Sequence, residues 1–338
     1  MPRQDRGDFP RAQLHVVTGK GGTGKTTVAG ALALALAAKG RRTLLCEVEG
    51  RQGIAQLFDR APLPYAETRL ASGPDGGAPI HAIAIDAESA LIEYLQMYYR
   101  LGRTASRFDR FGVIEFATTI APGVRDVLLT GKVYEAAKKD RRGKDARTYD
   151  AIVLDAPPTG RIAQFLNVNS ELAGLAKMGP IKGQADLVMT LLRSPRTVVH
   201  LVTVLEEMPV QETVDGIAEL QRNGLPVGGV IVNLTRDQAL GQDTLASAAA
   251  GALPREPIAA ALERAHVHDG PVAADGPLVE ALLGEARDHA TRRRLEDTQR
   301  AILADAGVPT YELPRLADGV DQGALQELAA MLNRQGIV

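Results

Sequence analysis

The sequence from Gly19 to Thr26 is a glycine-rich turn with lysines at its second and seventh positions, GKGGTGKT. Glycines let backbone N–H groups close around phosphate oxygens without Cβ clashes. A strand predicted at Leu14 to Thr18 precedes the turn, and a helix predicted from Lys25 to Lys39 follows it. The helix N-terminus adds free N–H donors and partial positive charge. This order of elements, with the spacing G-x-x-x-x-G-K-[ST], predicts a phosphate-binding loop.

The side chains of this loop predict a nucleotide with a metal ion as its ligand. Lys25 would neutralise the β- and γ-phosphates, and the Thr26 hydroxyl would bind Mg²⁺. Thr27 is placed for a further phosphate contact. The residues whose backbone forms the cradle are Gly19, Gly21, Gly22, Thr23 and Gly24.

A second group of residues that could do chemistry follows the predicted strand Ala151 to Leu154. The segment from Asp155 to Arg161 reads DAPPTGR. A carboxylate at such a strand end can hold Mg²⁺ through water. The backbone of Gly160 can respond to the presence of a γ-phosphate. The segment therefore predicts a second part of the same nucleotide site, with Asp155 and Thr26 on the metal.

The elements that must position these residues alternate between strands and helices. Apolar runs predict further strands at Thr43 to Val48, Ile80 to Ile85, Val198 to Val204, Val227 to Val232 and Thr310 to Leu313. Helical patterns lie between most of them. This alternation predicts an α/β fold with a doubly wound, mostly parallel sheet of about seven to eight strands.

Two stretches interrupt the alternation, at residues 86–140 and 170–195, and both have apolar residues at helical spacing. We interpret them as a helical insertion subdomain within a single P-loop domain that spans residues 1–338. Ala71 to Ala78 reads as a turn-rich loop. Ala239 to Pro257 is rich in alanine and glycine and has the weakest predicted secondary structure.

Composition and charge exclude several classes of function. The net charge is -2 and there is no Trp, which argues against a nucleic-acid partner. The longest apolar run is too short to cross a bilayer, so we expect a cytoplasmic protein without stable membrane insertion. The single cysteine, Cys46, rules out a C-x-x-C zinc site and a cysteine-ligated metalloid site.

The two motifs together resemble those of the ArsA family of deviant Walker A ATPases. The loop matches G-K-G-G-x-G-K-[ST], which is shared with MinD, ParA and the nitrogenase iron protein, and DAPPTGR resembles the D-T-A-P-T-G-H switch of the ArsA family. The nearest resemblance is to ArsA-like ATPases of actinobacteria. It implies a P-loop ATPase that uses ATP and Mg²⁺ and works as a nucleotide-gated dimer. In that class the first lysine of the loop reaches across the dimer to the partner's nucleotide, where it acts like an arginine finger. The resemblance implies this role for Lys20.

The resemblance also implies roles for three further residues. Glu49, in the sequence EVEG, occupies the position of the aspartate that orients the attacking water. Asn233, at the end of VIVN, matches the asparagine that reads the adenine edge. Pro314, in LPRL, matches the proline loop that packs on the base. The resulting catalytic set is Lys20, Lys25, Glu49 and Asp155.

Three functions stay open at this point. The leading one is an ArsA-type ATPase, as a homodimer or as a heterodimer with a paralogue, that acts on a protein or membrane-associated client. The second is a positioning switch like MinD or ParA. The apolar stripe of Leu325, Leu328 and Leu332 has only Arg334 as a nearby cation, which indicates ordinary packing instead of membrane binding. The third is an ATP-binding subunit with weak hydrolysis, because Glu49 is longer than aspartate.

Overall fold

A computed structural model describes residues 8–48, 50, 52–99, 122–138, 147–166, 180–267, 270–317 and 319–338. Eight strands of these residues form one sheet in the order β3-β4-β2-β5-β1-β6-β7-β8. Their bounds are β1 Leu14–Gly19, β2 Thr43–Val48, β3 Thr68–Ser72, β4 Pro79–Ile85, β5 Ala151–Asp155, β6 Thr197–Thr203, β7 Val227–Thr235 and β8 Thr310–Pro314. All pairs are parallel except the edge pair β3–β4. The predicted α/β fold is confirmed.

The helices of the described residues lie between these strands or follow the last one. They are α1 Lys25–Ala38, α2 Gly53–Leu57, α3 Ala87–Tyr99, α4 Pro122–Ala136, α5 Thr159–Leu166, α6 Pro180–Leu192, α7 Glu207–Arg222, α8 Gln242–Ala249, α9 Arg255–Arg264, α10 Pro277–Asp305 and α11 Gln322–Arg334. None of the described helices combines the length and the apolar character that crossing a bilayer requires.

The core surrounds helix α1. Its sequence, KTTVAGALALALAA, is apolar on every face, and all residues from Val28 to Ala37 are buried. The helix packs against the sheet and against α11, whose Leu325, Leu328 and Leu332 are at most 2% exposed. The apolar stripe of α11 therefore packs in the core. Because α1 follows the glycine-rich loop directly, this packing fixes the end of the loop.

The amino end of β1 carries one member of a buried histidine pair. His15 Nδ1 lies 3.1 Å from His200 Nε2, on β6, and both side chains are fully buried. Burial lowers the pKa of His200 to about 3. Burial, followed by the charges of His200 and Arg41, lowers the pKa of His15 well below its ordinary value. The pair is therefore neutral in the folded protein at pH 7.

The described chain divides into two compact units. The first holds the whole sheet and comprises Met1–Val204, Met208–Thr235 and Ala306–Val338; the second comprises Leu205–Glu207 and Arg236–Asp305. The second unit is helical, and its apolar contacts include Leu245 with Ala290 and Val279 with Leu283. The sequence did not single out this unit, and the single domain 1–338 stays a prediction.

The predicted strands and the predicted helix that begins at Lys25 agree with the structure to within one to three residues at each end. The elements that the sequence did not predict include the edge strand β3 and the short helices α2 and α5. The prediction of a loop from Ala71 to Ala78 is wrong at its start. Ala71 and Ser72 pair with Ile80 and Pro79 on β4 and are the last two residues of β3.

The predicted insertions are described only in part. Of residues 86–140 the structure describes helices α3 and α4, and of residues 170–195 it describes α6. Residues 100–121, 139–140 and 170–179 of these insertions lie outside the described residues. The stretch predicted from Ala239 to Pro257 contains α8 and the start of α9.

Candidate nucleotide site

A cavity of about 290 Å³ opens at the carboxyl end of the parallel strands. This edge of a doubly wound sheet is where such folds bind ligands. The glycine-rich loop supplies one side of the cavity, and β2 and β5 supply the other. The residues that line it are Gly22, Gly24, Lys25, Thr26, Thr27, Glu47, Val48, Asp155 and Ala156. The fold thus brings together the two sequence motifs, which are about 130 residues apart along the chain.

The loop has a backbone that only glycine allows at its last turn. Gly24 has φ of 85° and directly precedes α1. A Cβ at this position would also collide with the side-chain amide of Asn233. Both the left-handed backbone and the close approach therefore require glycine here.

Thr26 and Asp155 meet inside the cavity. The Thr26 hydroxyl donates a hydrogen bond of 2.6 Å to Asp155 Oδ2. The strand end that carries Asp155 is held by Thr18, whose hydroxyl donates to the Pro157 carbonyl at 2.7 Å. A hydroxyl beside a carboxylate is a set of hard oxygen donors, which fits Mg²⁺. Nowhere in the described part of the chain, this cavity included, do His, Cys, Asp and Glu form a group of three or more that could hold a metal ion.

Lys25 and Lys20 have different surroundings although both belong to the same loop. The Lys25 side chain is buried, and its Nζ donates to the Lys20 carbonyl at 3.4 Å. The Lys20 Nζ instead lies 2.7 Å from Glu212 Oε1 on α7, and both side chains are about one-third exposed. Lys25 therefore faces the cavity of its own chain, whereas Lys20 is held at the surface.

Two comparisons with known proteins bear on this site. Residues 12–195, which include both motifs, match the family model described as anion-transporting ATPase. ATPase BagA of Mycobacterium tuberculosis is 51% identical over 329 residues, covering 96% of this chain and 94% of that protein.

The chain belongs to the anion-transporting ATPase family.

A second relative is less similar in sequence. The arsenical pump-driving ATPase of Escherichia coli is 27% identical over 252 residues, which cover 68% of this chain and 41% of that longer protein. The mycobacterial relative agrees with the predicted resemblance of this chain to ArsA-like ATPases of actinobacteria.

The fold places Asn233, one of the two expected base-binding residues, against the glycine-rich loop. Asn233 is buried near the end of β7, and its Nδ2 donates to the Thr23 carbonyl at 2.9 Å. Pro314 ends the neighbouring strand β8, where Arg315 N donates to the Thr235 carbonyl at 2.8 Å. Asn233 thus braces the phosphate loop, a contact that the sequence did not predict. The contact of either residue with a base stays a prediction.

Of the two further predicted site residues Gly160 and Glu49, the structure describes only Gly160. Gly160 is the second residue of α5 and is exposed, with open space around its Cα. Glu49 lies outside the described residues. The roles of both stay predictions.

The structure adds Glu47, which the sequence did not select. Glu47 is 2% exposed and lines the cavity near the end of β2. Its oxygens accept from the backbone N–H groups of Gly53 and Ile54 at 2.8 and 3.4 Å. The signal was present in the E-x-E spacing of Glu47 and Glu49, because a carboxylate inside an apolar strand requires specific partners.

Proposed function

We propose that this chain is a Mg²⁺-dependent ATPase that hydrolyses ATP as a nucleotide-gated dimer. The observation that supports this most is the cavity in which buried Lys25 lies with the hydrogen-bonded pair Thr26 and Asp155. A cation and hard oxygen donors beside a glycine-rich loop at a helix N-terminus suit a triphosphate with its metal. Family membership agrees with this activity.

Each residue has a stated part in the proposed reaction. The loop N–H groups and Lys25 hold the β- and γ-phosphates, and Asp155 holds the Thr26 hydroxyl in place. Glu49 orients the water whose oxygen attacks the γ-phosphorus, while the bond to the β-phosphate oxygen breaks. When bound, Mg²⁺ neutralises charge that develops on the phosphate oxygens. Asn233 and Pro314 select adenine.

Dimerisation assigns Lys20 to the partner's nucleotide. Its Nζ lies at the surface, where it forms a partly exposed ion pair with Glu212. Such a pair has a low energy, about 0–1 kcal/mol, so Lys20 can exchange it for a phosphate. Closure and opening of the dimer would then move the helical insertions around a protein or membrane-associated client.

The test is ATP hydrolysis by the purified chain, with and without Mg²⁺, together with its mass in the presence of a slowly hydrolysed ATP analogue. Metal-dependent turnover and an ATP-dependent dimer are expected. A chain that binds ATP but turns over only after a paralogue is added would be the catalytically weak subunit. ATP-dependent co-sedimentation with liposomes or DNA would instead favour a positioning switch like MinD or ParA.

A further inference from the structure

Glu47 is a buried carboxylate beside the phosphate site, and the proposed chemistry leaves it without a role. It is the fifth residue of β2, where its register partner on β5 is Asp155. Its side chain is 2% exposed. A buried carboxylate is strongly unfavourable unless hydrogen bonds satisfy it. The N–H groups of Gly53 and Ile54, the first residues of α2, supply such bonds at 2.8 and 3.4 Å.

The start of α2 also packs directly against Thr26, the threonine whose hydroxyl is predicted to bind Mg²⁺. A Cβ added to Gly53 would lie 3.3 Å from Thr26 Cγ2. The same Cβ would lie 3.6 Å from both Thr26 Oγ1 and Glu47 Oε1. Glu47, Gly53 and Thr26 therefore meet at one place, so the position of α2 limits the position of the Thr26 side chain.

Gln52, just before α2, is held in a strained conformation. Its φ is 56°, in the left-handed region that non-glycine residues rarely adopt. Its side-chain amide donates to the Leu63 carbonyl at 3.1 Å and accepts from the Leu63 N–H at 2.7 Å. Such strain persists only where surrounding contacts impose it, and it is concentrated at functional sites. The start of α2 is thus fixed from two directions, by Glu47 and through Gln52.

We propose that Glu47 is a positioning residue of the ATPase site, which acts by holding the start of α2 against Thr26. Glu47 touches neither phosphate nor the reacting water in this role. Its loss would let Gly53 and Gln52 shift and would release the side of Thr26 that faces α2. Because small displacements of reacting groups lower rates steeply, the chemical step should suffer more than nucleotide binding.

The test compares Glu47→Gln with Glu296→Gln. The glutamine keeps the size of the side chain but has only one acceptor oxygen for the two N–H groups. Glu296 is another buried glutamate, paired with Arg293 at 3.0 Å, and belongs to the second compact unit. We expect Glu47→Gln to lower kcat on the order of 10- to 100-fold, with ATP affinity changed less than twofold. Glu296→Gln should leave both values unchanged, whatever its effect on stability.

Hydrogen exchange supplies a second readout that needs no turnover. Amides of Gly53 and Ile54 should exchange faster in Glu47→Gln, while those of the phosphate loop should not. If Glu47→Gln does not fold, Gly53→Ala tests the same contact, because its Cβ would press on Thr26 and should give the same loss of kcat.

Three results would overturn the proposal: unchanged kcat, an equal loss of ATP affinity, or unchanged exchange at α2. This proposal rests on the ATPase function proposed above, but the two can fail separately. A wild-type chain without ATP hydrolysis refutes the ATPase, whereas the exchange measurement still decides whether Glu47 holds α2.

Discussion

The replacement Asn233→Ala tests whether this residue braces the phosphate loop before any nucleotide binds. Asn233 is 4% exposed, and its Nδ2 donates to the Thr23 carbonyl at 2.9 Å. Alanine removes the donor and leaves that buried carbonyl without this partner. Leaving a buried acceptor unsatisfied costs about 1–3 kcal/mol. The free energy of unfolding without nucleotide should fall by that amount.

The same variant tests the predicted base contact separately. Loss of loop support weakens ATP and GTP binding equally, because both nucleotides present the same phosphates. Loss of an adenine contact weakens ATP binding alone. A buried polar contact of about 1–3 kcal/mol corresponds to roughly a 5- to 140-fold loss of ATP affinity. The ratio of ATP to GTP affinity should therefore fall on top of any common loss.

Urea unfolding followed by circular dichroism measures the first effect, and isothermal titration calorimetry with ATP and GTP measures the second. Asn223→Ala is the matched control, since its amide also donates to a backbone carbonyl, that of Glu219, at 2.8 Å. Unchanged stability of Asn233→Ala without nucleotide would refute the bracing role. An unchanged ATP/GTP ratio would refute base reading.

Further predictions concern the two lysines and the histidine pair. Lys25→Ala should abolish ATP turnover and leave the fold intact by circular dichroism; normal activity would exclude the P-loop assignment. Lys20→Ala should spare ATP affinity and lower kcat on the order of 10³-fold or more, and mixing it with Lys25→Ala chains should restore part of the activity. Mixed dimers that form but stay inactive would contradict action in trans. Glu212→Gln removes an ion pair of about 0.2–1 kcal/mol in each chain and should tighten ATP-dependent dimerisation by up to about fivefold for each pair that the dimer breaks, less at high salt, whereas Glu219→Gln should not. The pKa of His200 is about 3 when folded and about 6.5 when unfolded. Its contribution to stability is therefore complete above pH 6.5 and declines as the pH falls towards 3. Between pH 7 and pH 5 the free energy of unfolding of the wild-type protein should therefore fall by about 2 kcal/mol because of His200. The urea midpoint of His200→Leu should fall less than that of the wild type over this range. An equal fall in both proteins would refute the lowered pKa of His200.

The buried parallel strands could be predicted because each is a nearly continuous apolar run. The edge strand β3 and the helix α2 could not, for reasons that lie outside their own sequences. β3 reads TRLAS, with Arg69 at its second position, and exists because β4 supplies its hydrogen bonds. α2 has five residues, fewer than an isolated helix needs, and Glu47 supplies partners for its first N–H groups.

The loop and Asp155 were predictable because each motif is contiguous and its chemistry requires particular residue types. The ion pair of Lys20 with Glu212 and the hydrogen bond of Asn233 to Thr23 join residues about 190 and 210 positions apart. Such partners follow from the strand order, which places β1, β6 and β7 side by side. Glu47 was missed for a similar reason, because its partners belong to the unpredicted helix α2.

The burial of Cys46 makes this protein convenient for spectroscopy. Its thiol is the only one in the sequence and lies fully buried in β2, between β4 and β5. A thiol enclosed in a packed sheet reacts slowly with maleimide reagents while the protein is folded. Cysteines introduced at exposed positions, such as Arg161 on α5, can therefore carry fluorophores or spin labels without prior removal of the native thiol. Reaction of Cys46 itself would then report opening of the central sheet.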